Sequence, residues 1–340
     1  MKRVLVTGGT GYVGSHVAVD LARRGHAVTL LDNLSHSSIG ALARIHELTD
    51  RKCDFVEADI RHRDALVATF DAVPFDSVVH CAALKSVAES VSNPRAYYDN
   101  NVHGTLVLLD VMGQFGCTEL VFSSSATVYD PAGDPPFDEE APAGPVNPYG
   151  KTKLVIENML EDIAAASDDS RFVSLRYFNP VGAHGSAKIG EDPNTDPSNL
   201  MPRVLDVALG AKPSLDVYGT DYDTPDGTTI RDYIHIADLA AAHTSAIERV
   251  DEMPGHTPIN IGTGLGTSVF ELIEAVRDAS GRDVPSQPAP RRAGDVARSV
   301  ADPRMAHGLL DWRSERSIAD MAADAWRWRV ENPAGFPVPA

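Results

Sequence analysis

A chain of 340 residues, 43% apolar and 23% charged, is long enough for one large globular domain or two smaller ones. Its formal charge of −18 excludes the clustered Lys/Arg surface that nucleic acid needs and disfavours docking to anionic lipid. Three cysteines without metal-ligand spacing speak against a disulfide framework or a metal site, and no apolar stretch approaches the ~18 residues of a membrane span. The cytoplasm is the expected compartment, since no signal-peptide core follows Met1.

Residues 4–7 read as a short buried strand, and Val13, Val17, Ala18, Leu21 and Ala22 follow at helical spacing. Between them stands Gly8-Gly9-Thr10-Gly11-Tyr12-Val13-Gly14, a Gly-x-x-Gly-x-x-Gly turn. Glycines there let the backbone turn sharply and approach a pyrophosphate, whose charge then sits on the helix N-terminus. Residues 27–31 form the next strand, ending in Asp32-Asn33. A carboxylate about twenty positions after the glycines accepts hydrogen bonds from adenosine ribose hydroxyls. It also repels a 2′-phosphate, so NAD is expected rather than NADP.

The alternation continues. Residues 55–57 lead into Ala58-Asp59-Ile60, and residues 77–80 into Cys81-Ala82-Ala83-Leu84-Lys85. Residues 97–112 have the spacing of one long helix, with Asn100, Asn101 and His103 as its polar members. Residues 120–123 are a strand that runs into Ser124-Ser125-Ala126-Thr127. Strand alternating with helix predicts an α/β fold, a Rossmann-like doubly wound parallel sheet whose ligands gather beyond the strand ends. Gly8, Asp32, Asp59, Ala82 and Ser125 all fall at such ends.

After a Pro/Asp/Glu-rich loop at 130–146, Asn147 and Pro148 mark a helix start that Leu154, Val155, Met159, Leu160 and Ile163 continue. Tyr149 and Lys153, four apart, project from one face of it. An ammonium favours the charged form of a phenol, whose reference pKa is ~10. Tyr149 is therefore the candidate base, with Lys153 holding its pKa down. Residues 172–176 are a further strand, followed by Tyr177-Phe178-Asn179. From 184 to about 229 the chain is rich in Gly, Pro, Asn and Asp with little periodicity and reads as a lobe grafted onto the sheet. Residues 231–236 and 258–262 read as short strands flanking a helix at 237–249, bringing the chain back to the first domain. Residues 269–280 and 318–330 read as helices, and 287–295 as a Pro/Arg loop.

The order Gly-x-x-Gly-x-x-Gly, Asp32, a serine after a strand, then Tyr-x-x-x-Lys resembles the extended short-chain dehydrogenase/reductase family across essentially the whole chain. The stretches LVTGGTGYVG (5–14), YYDNNVHG (97–104), SSSATVY (123–129), RYFNPVGAH (176–184), NLMP (199–202) and RDYIH (231–235) carry the resemblance. Within that family they are most similar to the UDP-hexose 4-epimerases. The resemblance implies an NAD-dependent isomerase interconverting UDP-galactose and UDP-glucose through a transient 4-keto sugar. Tyr149 would take the proton of the sugar 4-hydroxyl, Ser125 would hold the same oxygen, and Lys153 would bond the nicotinamide ribose. Gly8, Gly11, Tyr12, Val13 and Gly14 would meet the cofactor first. Asp32, Asn33, Asp59, Ile60, Ala82, Lys85, Asn100 and Phe178 would line the NAD site with Tyr149 and Lys153.

By the same resemblance, Asn179, Asn199, Arg231 and Arg292 would contact the UDP-sugar; paired guanidinium donors suit a diphosphate. Ala126-Thr127 stands where related 4,6-dehydratases carry an acidic pair, which implies simple epimerisation. Ser299, after Arg292-Ala293-Gly294-Asp295, stands where tighter pockets carry a tyrosine. That implies turnover of UDP-N-acetylglucosamine and UDP-N-acetylgalactosamine as well. The implied organisation is an NAD-binding domain at 1–180, rejoined by 231–262, with 181–230 and 263–340 mainly a smaller UDP-sugar lobe. A homodimer with no nucleic-acid or membrane partner is expected. Two alternatives share the fold: a 4-epimerase of another UDP-sugar such as UDP-glucuronate, and a non-catalytic NAD-sensing protein. The first needs a positive group near C6, and the second typically loses the Tyr or Lys that this chain keeps.

Overall fold

A strand that feeds a helix and returns parallel to itself needs a crossover, and the first half of the chain repeats that unit. The computed structural model describes every residue except 50, 193–198, 293 and 338–340. It runs β1 (Arg3–Thr7), α1 (Tyr12–Arg23), β2 (Ala27–Asp32), α2 (Gly40–Thr49), β3 (Asp54–Glu57), α3 (Arg63–Ala72) and β4 (Ser77–His80). Two short helices follow, α4 (Val87–Ser92) and α5 (Pro94–Tyr97), then a π turn at Tyr98–His103 and α6 (Gly104–Gln114). Next come β5 (Glu119–Ser123), α7 (Pro148–Ala165), β6 (Arg171–Tyr177) and β7 (Asn179–Val181). The remainder is α8 (Leu200–Ala208), β8 (Leu215–Tyr218), β9 (Ile230–His235), α9 (Ile236–Arg249), β10 (Gly255–Ile261), β11 (Gly266–Ser268) and α10 (Val269–Ser280). It ends with β12 (Ser286–Ala289), β13 (Arg298–Ser299), α11 (Arg304–Leu310) and α12 (Ile318–Glu331).

Seven strands form one parallel sheet in the order β10-β6-β5-β4-β1-β2-β3. Its central strands are buried on both faces, which is why they read as unbroken Val/Leu runs. Helices α1, α2, α9 and α11 pack one face through Val17, Leu21, Ile45, Leu239 and Ala306. Helices α3, α6 and α7 pack the other through Leu66, Leu108, Met112, Ile156 and Leu160. The chain reverses direction across the sheet between β1 and β4, and the crevice beyond their carboxyl ends is the ligand position such sheets create. A second sheet joins β11, β9 and β13, with β7 also paired to β9. Around it α8, α10 and α12 share a separate core built on Met201, Val204, Leu272, Val276 and Met321.

Three differences from the sequence reading have physical causes. The helix expected at 97–112 is interrupted by the π turn, because the buried Asn101 side chain leaves the helix to bond a neighbouring loop. The stretch from 184 to 229 contains α8 and β8; α8 is amphipathic, with Met201, Val204, Leu205 and Ala208 inward, but is only nine residues long. The Pro/Arg loop at 287–295 begins inside β12, an exposed strand that pairs with β8 and so carries no apolar signal. Of the two strands flanking α9, β10 takes the edge of the large sheet, whereas β9 pairs in the second sheet.

Candidate active site

The glycine turn is dictated by close approach. Gly8 has φ +67°, and a Cβ there would lie 2.8 Å from the backbone nitrogen of Ala82, so the ends of β1 and β4 touch at this point. A Cβ on Gly14 would lie 2.1 Å from the Gly8 carbonyl oxygen, which packs the first turn of α1 onto the loop. No side chain caps α1 at Gly11, so the first-turn N–H groups at Tyr12, Val13 and Gly14 face outward as an anion cradle. These features fit a dinucleotide pyrophosphate.

Beyond β2, the buried Asp32 carboxylate accepts from the Thr10 and Leu34 N–H groups at 3.2 and 2.9 Å and from Ser37 Oγ at 2.8 Å. It therefore organises its own turn at the carboxyl end of β2. Asn33 donates to Asp59 at 2.9 Å, and Arg61 grips Asp59 through Nε and a terminal nitrogen at 2.9 and 2.7 Å. This guanidinium holds the Asp59 carboxyl well below the usual range. Ile60 packs its side chain under Gly104 in the core, so what it offers the crevice is backbone. Tyr12 donates to the Gly182 carbonyl at 2.8 Å, and Lys85, 6.0 Å from the Tyr12 ring, pairs with Glu191 at 3.0 Å. Asn100 donates to Asn101 at 3.0 Å, and Phe178 is buried beside Val128 and Tyr129.

At the start of α7, Asn147 caps the helix by accepting from the Gly150 N–H at 2.8 Å, with Pro148 in the first turn. Tyr149 and Lys153 are both buried. Lys153 Nζ donates to the Ser123 carbonyl at 2.7 Å and lies 5.7 Å from the Tyr149 ring centre. Ser125 stands beside the Tyr149 phenol, and its Oγ accepts from the Thr127 N–H at 3.2 Å. Burial drives the two ionisable groups toward neutrality. The Tyr149 phenol is pushed up to about 12, opposed only by the neighbouring Ser125 hydroxyl, and the Lys153 ammonium is brought down to about 8. The expectation that Lys153 holds the Tyr149 pKa down is corrected here: in the protein alone desolvation dominates.

Behind this pair lies a buried charge network that sequence reasoning missed. Arg176 on β6 bonds Glu157 of α7 at 2.6 Å, and Ser124 donates to the same carboxylate. Arg176 also reaches Tyr129 at 3.2 Å, and Tyr129 donates to Asn260 at 2.6 Å. A signal was present, since Glu157 is a charge placed four residues after Lys153 on a helix face that is otherwise inward.

The second sheet gathers several residues expected at the substrate. β7 and β13 pair with β9, which sets Asn179 opposite Tyr233 and Ser299 opposite Arg231. Arg231 donates to the Ile230 and Val296 carbonyls at 2.9 Å and meets Asp295 at 3.4 Å. Arg292 stacks 3.9 Å from the Tyr218 ring. Asn199 starts α8 without capping it through its side chain. Ala293, within the Arg292–Asp295 turn, lies outside the described residues.

Comparison with known proteins gives a consistent set of likenesses. The family described as the NAD dependent epimerase/dehydratase family matches residues 4–262. The chain is 47% identical to UDP-glucose 4-epimerase of Bacillus subtilis, over 98% of each chain. It is similar in structure to UDP-glucose 4-epimerase of Stenotrophomonas maltophila solved with NAD and formylated UDP-arabinopyranose (TM-score 0.96, 46% identity, 98% of this chain and 100% of that one). A likeness of the same order holds to UDP-glucose 4-epimerase of Bifidobacterium longum in complex with NAD+ and UDP (TM-score 0.94, 45% identity, 98% and 100% covered).

Proposed function

The chain belongs to the NAD dependent epimerase/dehydratase family, and on that premise we propose that it interconverts UDP-galactose and UDP-glucose by inversion at C4 of the hexose. The observation that carries this reading is the buried Tyr149–Ser125 pair backed by Lys153, with Ala126-Thr127 leaving no acid to drive an elimination.

Tyr149 takes the proton of the 4-hydroxyl as the C4 hydrogen leaves as hydride, and Ser125 orients the same oxygen. With the phenol at about 12, ionising it at neutral pH costs roughly 7 kcal/mol unaided. Lys153, at about 8, is still mostly protonated at pH 7 and supplies one positive charge nearby. Bound NAD would supply the hydride acceptor and, through its oxidised ring, a second positive charge. Tyr149 then returns the proton to the oxygen of the inverted sugar. The proton passes only between the sugar oxygen and Tyr149, so a site sealed from water suits the reaction.

The paired state of the local cations weighs against a uronic acid substrate: Lys85 is matched by Glu191 and Arg176 by Glu157. For the N-acetyl sugars, the small Ser299 beside Arg231 supports room for a 2-acetamido group. For the homodimer, Val91 on α4, Tyr98 in the π turn and Leu106 on α6 are exposed apolar residues close together in the chain that support an interface there. Light scattering of the purified protein tests that state; a monomer mass at micromolar concentration sinks it.

The activity test is direct. Protein purified without added nucleotide is given UDP-galactose, and products are separated by anion exchange. UDP-glucose without added NAD is the expected result. No product even with NAD supplied would overturn the proposal.

A further inference from the structure

A single file of buried hydrogen bonds runs from the end of β1 to the Tyr149 backbone. Thr7 and His80 are register partners at the ends of β1 and β4. Thr7 Oγ1 lies 2.7 Å from His80 Nδ1, and His80 Nε2 lies 2.8 Å from Thr105 Oγ1. Thr105 Oγ1 donates to the Asn101 carbonyl at 2.5 Å, inside the π turn. The Asn101 amide donates to Thr152 Oγ1 at 3.2 Å, and Thr152 Oγ1 donates to the Tyr149 carbonyl at 2.7 Å. All five side chains are buried.

The hydrogens in this file have one arrangement. Because the Thr105 hydroxyl is spent on Asn101, its oxygen must accept, so His80 carries its proton on Nε2. His80 Nδ1 then accepts from Thr7, whose oxygen takes the Ala82 N–H at 3.4 Å. Every donor points the same way, and such chains polarise one another in a low dielectric. A protonated imidazole would break the order at Thr7, and burial keeps His80 neutral, its pKa brought down to about 3. Asn101 also clamps Leu84 through both ends of its amide, at 2.8 and 3.1 Å, and so fixes the loop that carries Ala82 and Lys85.

We propose that Thr105 is a positioning residue: bonded to His80 on one side and to the Asn101 carbonyl on the other, it ties the glycine turn, the π turn and the first turn of α7 into one unit, so that cofactor retention and the placement of Tyr149 depend on the same chain. This rests on the proposed 4-epimerase reading only for its activity readout. The Asn101 carbonyl needs the Thr105 hydroxyl to stay in the π turn, and Thr152 needs Asn101 to stay aligned under Tyr149. None of the substrate-side residues on β7, β9 or β13 belongs to the file.

The test compares Thr105→Val, which removes the hydroxyl at nearly constant volume, with Thr105→Ser, which keeps it. Three quantities are read: NAD retained after exhaustive dialysis, kcat, and KM for UDP-galactose. Thr105→Val is expected to lose at least half of its NAD and tenfold in kcat, with KM within twofold; Thr105→Ser is expected to recover most of both. Thr152→Val, at the far end, should lower kcat alike, and it serves if Thr105→Val does not fold. NAD retention and kcat within twofold of wild type in the valine variants would overturn the proposal, as would failure of the serine variant to recover them. If the wild type turns over no UDP-galactose, the activity reading fails, and the NAD-retention comparison still decides the role of Thr105.

Discussion

Lys153 and Glu157, one helical turn apart on α7, hold consecutive residues at the end of β5: Lys153 donates to the Ser123 carbonyl at 2.7 Å, and Glu157 accepts from the Ser124 hydroxyl. Ser125 is thereby delivered to Tyr149 by a strand end gripped from behind. The Glu157 carboxylate also opposes the desolvation that lowers the Lys153 pKa, and its main partner is the buried Arg176.

Replacing Glu157 with Gln should therefore be expensive. It leaves Arg176 as a buried cation with half its partners gone, a change that costs about 3–5 kcal/mol in comparable sites. The double variant Glu157→Gln/Arg176→Met should regain part of that loss. Urea denaturation of the three proteins decides; a Glu157→Gln midpoint equal to wild type would refute the network's role.

Lys153 predicts a pH dependence of stability. Its folded pKa of about 8 lies below the reference value of 10.5, so between those values the unfolded chain keeps a proton that the folded chain has released. Stability from this group must rise with pH across that window, and its ionised form costs about 3 kcal/mol below it. Lys153→Met should flatten the rise between pH 8 and 10 while abolishing turnover. Equal slopes in the two proteins by urea titration at several pH values would contradict this.

Tyr149→Phe removes only the phenol. General acid–base catalysis is typically worth 10²–10⁴-fold, and kcat should fall by about that factor with NAD content unchanged. Residual activity within tenfold of wild type would assign the proton to another group.

Gly14→Ala drives a methyl to 2.1 Å from the Gly8 carbonyl oxygen, backbone against backbone with no side chain to yield. The purified variant should carry no NAD and melt several degrees lower. Gly113→Ala on α6, where a Cβ meets nothing within 4 Å, is the control and should be neutral or stabilising by up to ~1 kcal/mol. Calorimetry with cofactor extraction separates the two.

Ser299→Tyr fills space opposite Arg231. Relative kcat/KM for UDP-N-acetylgalactosamine over UDP-galactose should drop at least tenfold, measured by competition between the two substrates. An unchanged ratio would place the acetamido group elsewhere.

The order of elements, the parallel sheet and the glycine turn were legible in the chain, because each is written in neighbouring residues. Buried strands show as Val/Leu runs, turns as glycines, and the α7 start as Asn147-Pro148. The π turn, the β8–β12 ribbon and the placement of β9 outside the large sheet were not legible, since each depends on partners distant in sequence. The same division holds in the site. Sequence alone put Tyr149 and Lys153 on one helix face and Asp32 beyond the glycines. Only the tertiary structure decided their electrostatics: burial, which no spacing encodes, raises Tyr149 and lowers Lys153, and the Glu157 carboxylate, itself paired with Arg176 across α7 and β6, opposes the lowering of Lys153. Local pattern determines which side chains exist and which way they point along their own element; the dielectric around them is a property of everything packed against it.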